Sequence, residues 1–128
     1  MSLRAQSSQQ KSPLYSVELS NRLALAERLA LDDLISSVRI DWPWTRFVLL
    51  GSKVSGLADE ESDLDLLITL PCPVNDEIRR RIVHEVFEVN LTYGSNISVL
   101  IVSEEEWEKG AVSVLPIHTF IEEEGVPL

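Results

Sequence analysis

Apolar residues along this chain recur in two rhythms. From about Ser16 to Arg39, Leu19, Leu23, Ala26, Ala30, Leu34 and Val38 fall three or four residues apart, the spacing of one helix face. Leu25, Leu29 and Ile35 widen that stripe, in a segment rich in Leu, Ala, Glu and Arg. Asp41-Trp42-Pro43-Trp44 ends it, because Pro43 disfavours helical geometry in the residue before it. Two short runs of aliphatic residues follow, roughly Arg46–Leu50 and Leu64–Leu70, each bounded by Gly, Pro or polar residues as buried strands are. Pro71-Cys72-Pro73 stops the second.

A second helical stripe of Ile78, Ile82, Val86 and Val89, widened by Val83 and Phe87, predicts a helix from about Asn75 to Asn90. Asn75 is its expected N-cap, with Asp76 and Glu77 favourably placed in the first turn. Tyr93-Gly94-Ser95-Asn96 predicts a turn and Ile97–Val102 a third strand. Ser103 predicts the cap of a short helix running to about Lys109. A last helix over about Pro116–Glu124 carries Ile117, Phe120 and Ile121 at core spacing and is closed by Gly125 as a C′ glycine. Residues 1–13 are polar, without apolar period, and are expected to form a disordered tail. The order helix, strand, strand, helix, strand, short helices predicts an α+β domain over residues 14–128, a small mixed sheet backed by helices.

The chemistry is concentrated between the first two strands. The apolar run Phe47–Leu50 ends at Gly51-Ser52, and after ten intervening residues Asp63-Leu64-Asp65 opens the second run, giving Gly-Ser-x10-Asp-x-Asp. Side chains alternate along a strand, so Asp63 and Asp65 share one face while Leu64, Leu66 and Ile68 share the other. Two adjacent carboxylates repel, and burying either unpaired is costly. A hard divalent cation such as Mg2+ relieves both problems, since it takes oxygen ligands and often only one or two carboxylates plus substrate phosphates. Gly51 permits close approach of the backbone to a ligand, Ser52 offers a hydroxyl and an N–H, and Lys53 a cation. A phosphate grip beside a metal grip is a nucleotide site; the bland alternative is a hairpin or βα loop with solvent-facing acids.

Gly51, Ser52, Lys53, Gly56, Ser62, Asp63 and Asp65 together resemble, in order and spacing, the nucleotidyltransferases of the DNA polymerase β superfamily, particularly the small minimal type. The resemblance covers the chain from about residue 16, and the ending Phe120–Leu128 also looks like the C-terminal tail of such proteins. It implies a palm-like sheet and transfer of a nucleoside monophosphate from an NTP, with ATP the expected donor, to a hydroxyl of a protein or small molecule. Asp63 and Asp65 would be catalytic residues holding one or two Mg2+ ions, and Gly51, Ser52, Lys53 and Ser62 would bind nucleotide. It also implies a concrete partner, a helical toxin-like protein modified by an antitoxin-type enzyme. Many active members carry a third carboxylate on the next strand, where it completes a metal site and serves as base. Here the aligned position is Ser98, and Glu88 and Glu104 lack the right strand placement. That departure bears on catalysis more than on binding, and the alternative is a nucleotide-binding or protein-interaction module without turnover.

Composition narrows the partners. The chain has 128 residues, 45% hydrophobic and 25% charged, enough for one core. Its net charge of −10 disfavours a nucleic-acid substrate. Arg79-Arg80-Arg81 is followed by Glu85 and Glu88 and is expected to be a solvated helix face. No run is long enough for a membrane span and no signal peptide is evident, and Cys72 is a lone cysteine, so a cytoplasmic protein is expected. Trp42 and Trp44 either line a base pocket or cap a core edge, the latter being commoner; His84 and His118 have no evident catalytic companion. No feature of the sequence selects an oligomeric state.

Overall fold

The structure is a computed structural model whose described residues are 23–50 and 63–128. The tail over residues 1–13 and the start of the first helix at Ser16 therefore lie outside the described residues. In chain order the elements are α1 (Leu25–Asp41), β1 (Arg46–Leu50), β2 (Leu64–Leu70), α2 (Asp76–Tyr93), β3 (Ile97–Ser103), α3 (Glu104–Lys109), a 3-10 turn (Ala111–Val114), α4 (Pro116–Glu124) and β4 (Val126–Pro127). The strands form one sheet in the order β3-β2-β1-β4. β1 is antiparallel to β2 and β4, whereas β2 and β3 run parallel across the α2 crossover. The expected mixed α+β sheet is thus present, with one addition. The two-residue β4, too short to show any period, pairs with Val48 and Leu49 and covers part of the β1 edge.

Sheet alternation sorts the core onto two faces. Phe47, Leu49, Leu64, Leu66, Ile68, Leu70, Ile97 and Ile101 pack with α1 and α2 into the main core. On the other face Leu67 and Val102 meet Trp107 of α3 and Ile121 of α4 in a smaller cluster. Most of β2 is therefore buried from both sides, which is why its sequence is an unbroken aliphatic run rather than an alternating one.

The helices show where periodicity misplaces a face. Among the described residues α1 begins at Leu25: Ala24 is extended, and its N–H donates to the Glu27 carboxylate at 2.9 Å, which caps this helix. Its buried side is Ala30, Leu31, Leu34, Ile35 and Val38, so the predicted wideners Leu25 and Leu29 face solvent. In α2 the stripe Ile82, Val86 and Val89 is buried as expected, but Val83 and Phe87 are exposed. Asn75 caps this helix, its side chain accepting from Ile78 N–H at 2.8 Å. α2 continues through Tyr93, one turn beyond Asn90, to Gly94 in the left-handed region at φ 68°. In α4 only Ile121 is buried, while Ile117 and Phe120 are exposed.

Gly125 has a different role from the one its position suggests. Its φ of −73° is not left-handed, but a Cβ there would collide with the Val48 side chain, and would lie 2.7 Å from the Ile121 carbonyl. Glycine is needed because the chain passes so close to β1. At the other end of β1, Arg39 donates twice to the Thr45 carbonyl, at 3.1 and 3.0 Å, and lies over the Phe47 ring. Trp42 packs against the core edge beneath Arg81, and Trp44 is exposed.

Leu66→Ala is expected to cost roughly 2–5 kcal/mol by urea unfolding, as a buried truncation that leaves a cavity. Leu25→Ala, on the exposed side of α1, is expected to change stability by less than about 0.5 kcal/mol. Comparable losses in the two variants would contradict the assignment of the α1 faces.

Candidate active site

On the sheet face opposite α1 and α2, Trp107 and Ile121 roof the part nearest Thr69 and Val102, and among the described residues no element covers the N-terminal ends of β2 and β3. There a groove of about 310 Å³ is lined mainly by Leu50, Leu67, Leu100, Ile117 and Ile121, with Asp65 and Ser98 as its polar side chains. Asp65 stands in register with Leu50 on one side and Ser98 on the other. Leu64 pairs with Ile97, which sets Asp63 level with Asn96. The carboxylates of Asp63, just before β2, and Asp65 therefore stand level with the amide of Asn96, just before β3, and the hydroxyl of Ser98.

The two acids differ in environment. Asp63 is exposed and accepts a hydrogen bond from Asn96 Nδ2. Asp65 is partly buried, and this desolvation, followed by the charge of Asp63, holds its carboxyl above the usual carboxylate range. Both causes penalise the anion, and a cation at the pair would reverse both. The oxygen-only donor set suits a hard ion such as Mg2+, which needs few protein ligands when phosphates supply the others. Among the described residues, no three His, Cys, Asp or Glu side chains are grouped to hold a metal without such help.

The remaining expectations fall as follows. Gly51, Ser52, Lys53 and Ser62 lie outside the described residues. Leu50, which precedes Gly51, is opposite Asp65. Ser98 occupies the expected place of the third acid and is exposed. Glu104 follows the far end of β3, 3.9 Å from Arg46, and Glu88 lies on α2 beside His84, on the covered side of the sheet. Neither belongs to the groove. Trp42 and Trp44 flank the opposite end of β1, so they do not line it. His84 is exposed, and His118 stacks on Trp107 with ring centroids 4.3 Å apart. Arg79 donates to the Ile101 carbonyl and Arg81 to Asp41, so two of the three arginines are spent on their own chain. Sequence reasoning missed Asn96 and its support Asn90, because an Asn beside Gly94 looks like turn chemistry and nothing more.

The described residues thus form a mixed sheet with two carboxylates at the start of an interior strand, one of them lining a groove. The family model described as nucleotidyltransferase domain matches residues 31–125, and this chain belongs to that family. Neither the curated proteins nor the solved structures contain a significant match to it.

The shift of Asp65 has a defined sign. Its folded value lies above the ordinary aspartate value of 3.8, so the folded state keeps a proton that the unfolded chain has lost. Stability of the metal-free protein must then fall as pH rises from 3.8 through the raised folded value. Asp65→Asn, lacking the charge, is expected to melt above wild type at pH 7 in EDTA and to lose that advantage below pH 3.8. A variant that melts no higher than wild type at pH 7 would show that the carboxylate is not strained.

Proposed function

We propose that this protein is a Mg2+-dependent nucleotidyltransferase that moves a nucleoside monophosphate from an NTP, with ATP the expected donor, to a hydroxyl of a protein or small-molecule acceptor. The observation that supports it is the acid pair itself: in a chain of this family, Asp65 lines a groove with its carboxyl raised by burial and by the charge of neighbouring Asp63. Asp63 and Asp65 are the residues that would hold one or two Mg2+ ions, with Gly51, Ser52, Lys53 and Ser62 assigned to the nucleotide phosphates. When bound, Mg2+ supplies neutralisation of the charge that develops during in-line displacement at phosphorus.

The groove beside Asp65 takes the acceptor. Its aliphatic walls hold an apolar portion and keep water from competing as acceptor, and Ser98 Oγ orients the hydroxyl. The acceptor oxygen forms a bond to the α-phosphorus, the bond to the bridging oxygen breaks, and pyrophosphate leaves with the electron pair. Ser98 has no useful proton affinity, so the acceptor proton passes to Asp65. A cytoplasmic antitoxin-type enzyme acting on a small helical partner is the concrete version of this proposal. No helix among the described residues is long and apolar enough to cross a membrane.

A second reading, a nucleotide-binding or protein-interaction module without turnover, is favoured by Ser98 standing opposite Asp65 while Glu88 and Glu104 lie elsewhere. Pyrophosphate release from Mg-ATP with candidate acceptors separates the two. Turnover that falls at least ~10²-fold in Asp63→Asn and in Asp65→Asn supports the transferase. Binding of Mg-ATP without release supports the module. In an active enzyme, Ser98→Asp places a carboxylate opposite Asp65 and is expected to raise release about tenfold or more, the scale of a positioned base.

A further inference from the structure

We propose that Asn96 is the positioning residue for Asp63, an inference that rests on the nucleotidyltransferase reading above and assigns a role to a residue outside its acid pair. Asp63 precedes β2 and is exposed, so neither the strand nor packing fixes its carboxylate. Asn96 bonds to Asp63 and to the residue after it. Its side-chain Nδ2 donates to Asp63 Oδ1, and its carbonyl accepts the N–H of Leu64 at 2.9 Å.

Asn96 is itself held from α2. The Asn90 Oδ1 accepts from Ser95 Oγ at 2.8 Å and from Ile97 N–H at 3.0 Å, and Asn90 Nδ2 donates to the Ile97 carbonyl at 3.2 Å. The residues on both sides of Asn96 are thereby tied to the last turns of a helix packed on the core. The donor's chemistry is also specific. An amide orients a carboxylate without neutralising it, and leaves Asp63 Oδ2 to face a cation; a Lys or Arg here would compete with that cation for the same charge.

The test is calorimetric titration of Mn2+ into the full chain saturated with a non-hydrolysable ATP analogue. Asn96→Ala is expected to weaken Mn2+ binding about tenfold, in the range seen when a ligand's hydrogen-bonding partner is removed. Asn96→Gln, which keeps an amide donor, is expected to recover part of that loss. Both variants should melt as wild type in EDTA, since the backbone bond to Leu64 is retained. Unchanged Mn2+ affinity in Asn96→Ala, or equal weakening in both variants, would overturn the role of Asn96. If Asp63→Asn and Asp65→Asn abolish Mn2+ binding while Asn96→Ala does not, only this inference falls; if the two Asp variants also bind normally, the metal-nucleotide reading falls with it.

Discussion

The register of β2 against β3 is the constraint on which the site depends. Leu64, Leu66, Ile68 and Leu70 must enter the core beneath α1 and α2, and a slip of one residue would turn that whole set outward. The demand for burial therefore dictates that Asp63 and Asp65 emerge on the opposite face. Leu67 adds a second anchor, because it packs beneath Trp107 and Ile121 on the face the acids share. The acids are fixed by apolar residues that have no chemistry of their own. Where the roof of α3 and α4 stops, the groove begins.

Electrostatics sets this corner apart from the rest of the sheet. In a chain of net charge −10, two carboxylates placed together with one partly desolvated are a local cost to folding. Acids with no task beyond solubility would spread apart and face water. Among the described residues, four arginines bond elsewhere: Arg39 at Thr45, Arg79 at Ile101, Arg81 at Asp41 and Arg46 near Glu104. The side chain that hydrogen-bonds Asp63 is a neutral amide, that of Asn96.

Much of this could be read in the sequence, for physical reasons that also mark its limits. The three longer strands and the two acids were legible because a buried aliphatic run and an Asp-x-Asp step depend only on local alternation. Helix faces were harder. Leu31 is buried and Leu29 exposed in the same helix, and only the tilt of α1 on the sheet decides between them. Gly125 was assigned a backbone role, whereas its reason is the Val48 side chain, a contact between segments far apart in sequence. Asn96 was illegible because its significance appears only when β3 is laid beside β2. The alignment of Ser98 with the missing acid could be inferred from a known pattern, and the Asp65–Ser98 register gives it a spatial meaning.

The parallel pairing of β2 and β3 has a consequence for how the molecule reaches its working state. Asp63 and Asn96, which hydrogen-bond, are separated by 33 residues of chain, with the whole of α2 between them. Closing such a separation costs chain entropy before any contact rewards it, so non-local strand pairing forms slowly. α2, with its own cap at Asn75 and left-handed stop at Gly94, can form from local contacts first and carry Asn90 to the turn. The acids meet their amide and hydroxyl neighbours only when β3 docks. The corner that holds the acids is therefore complete only once β3 has paired with β2, and a nascent chain released before residue 103 would carry both acids without the whole of that strand.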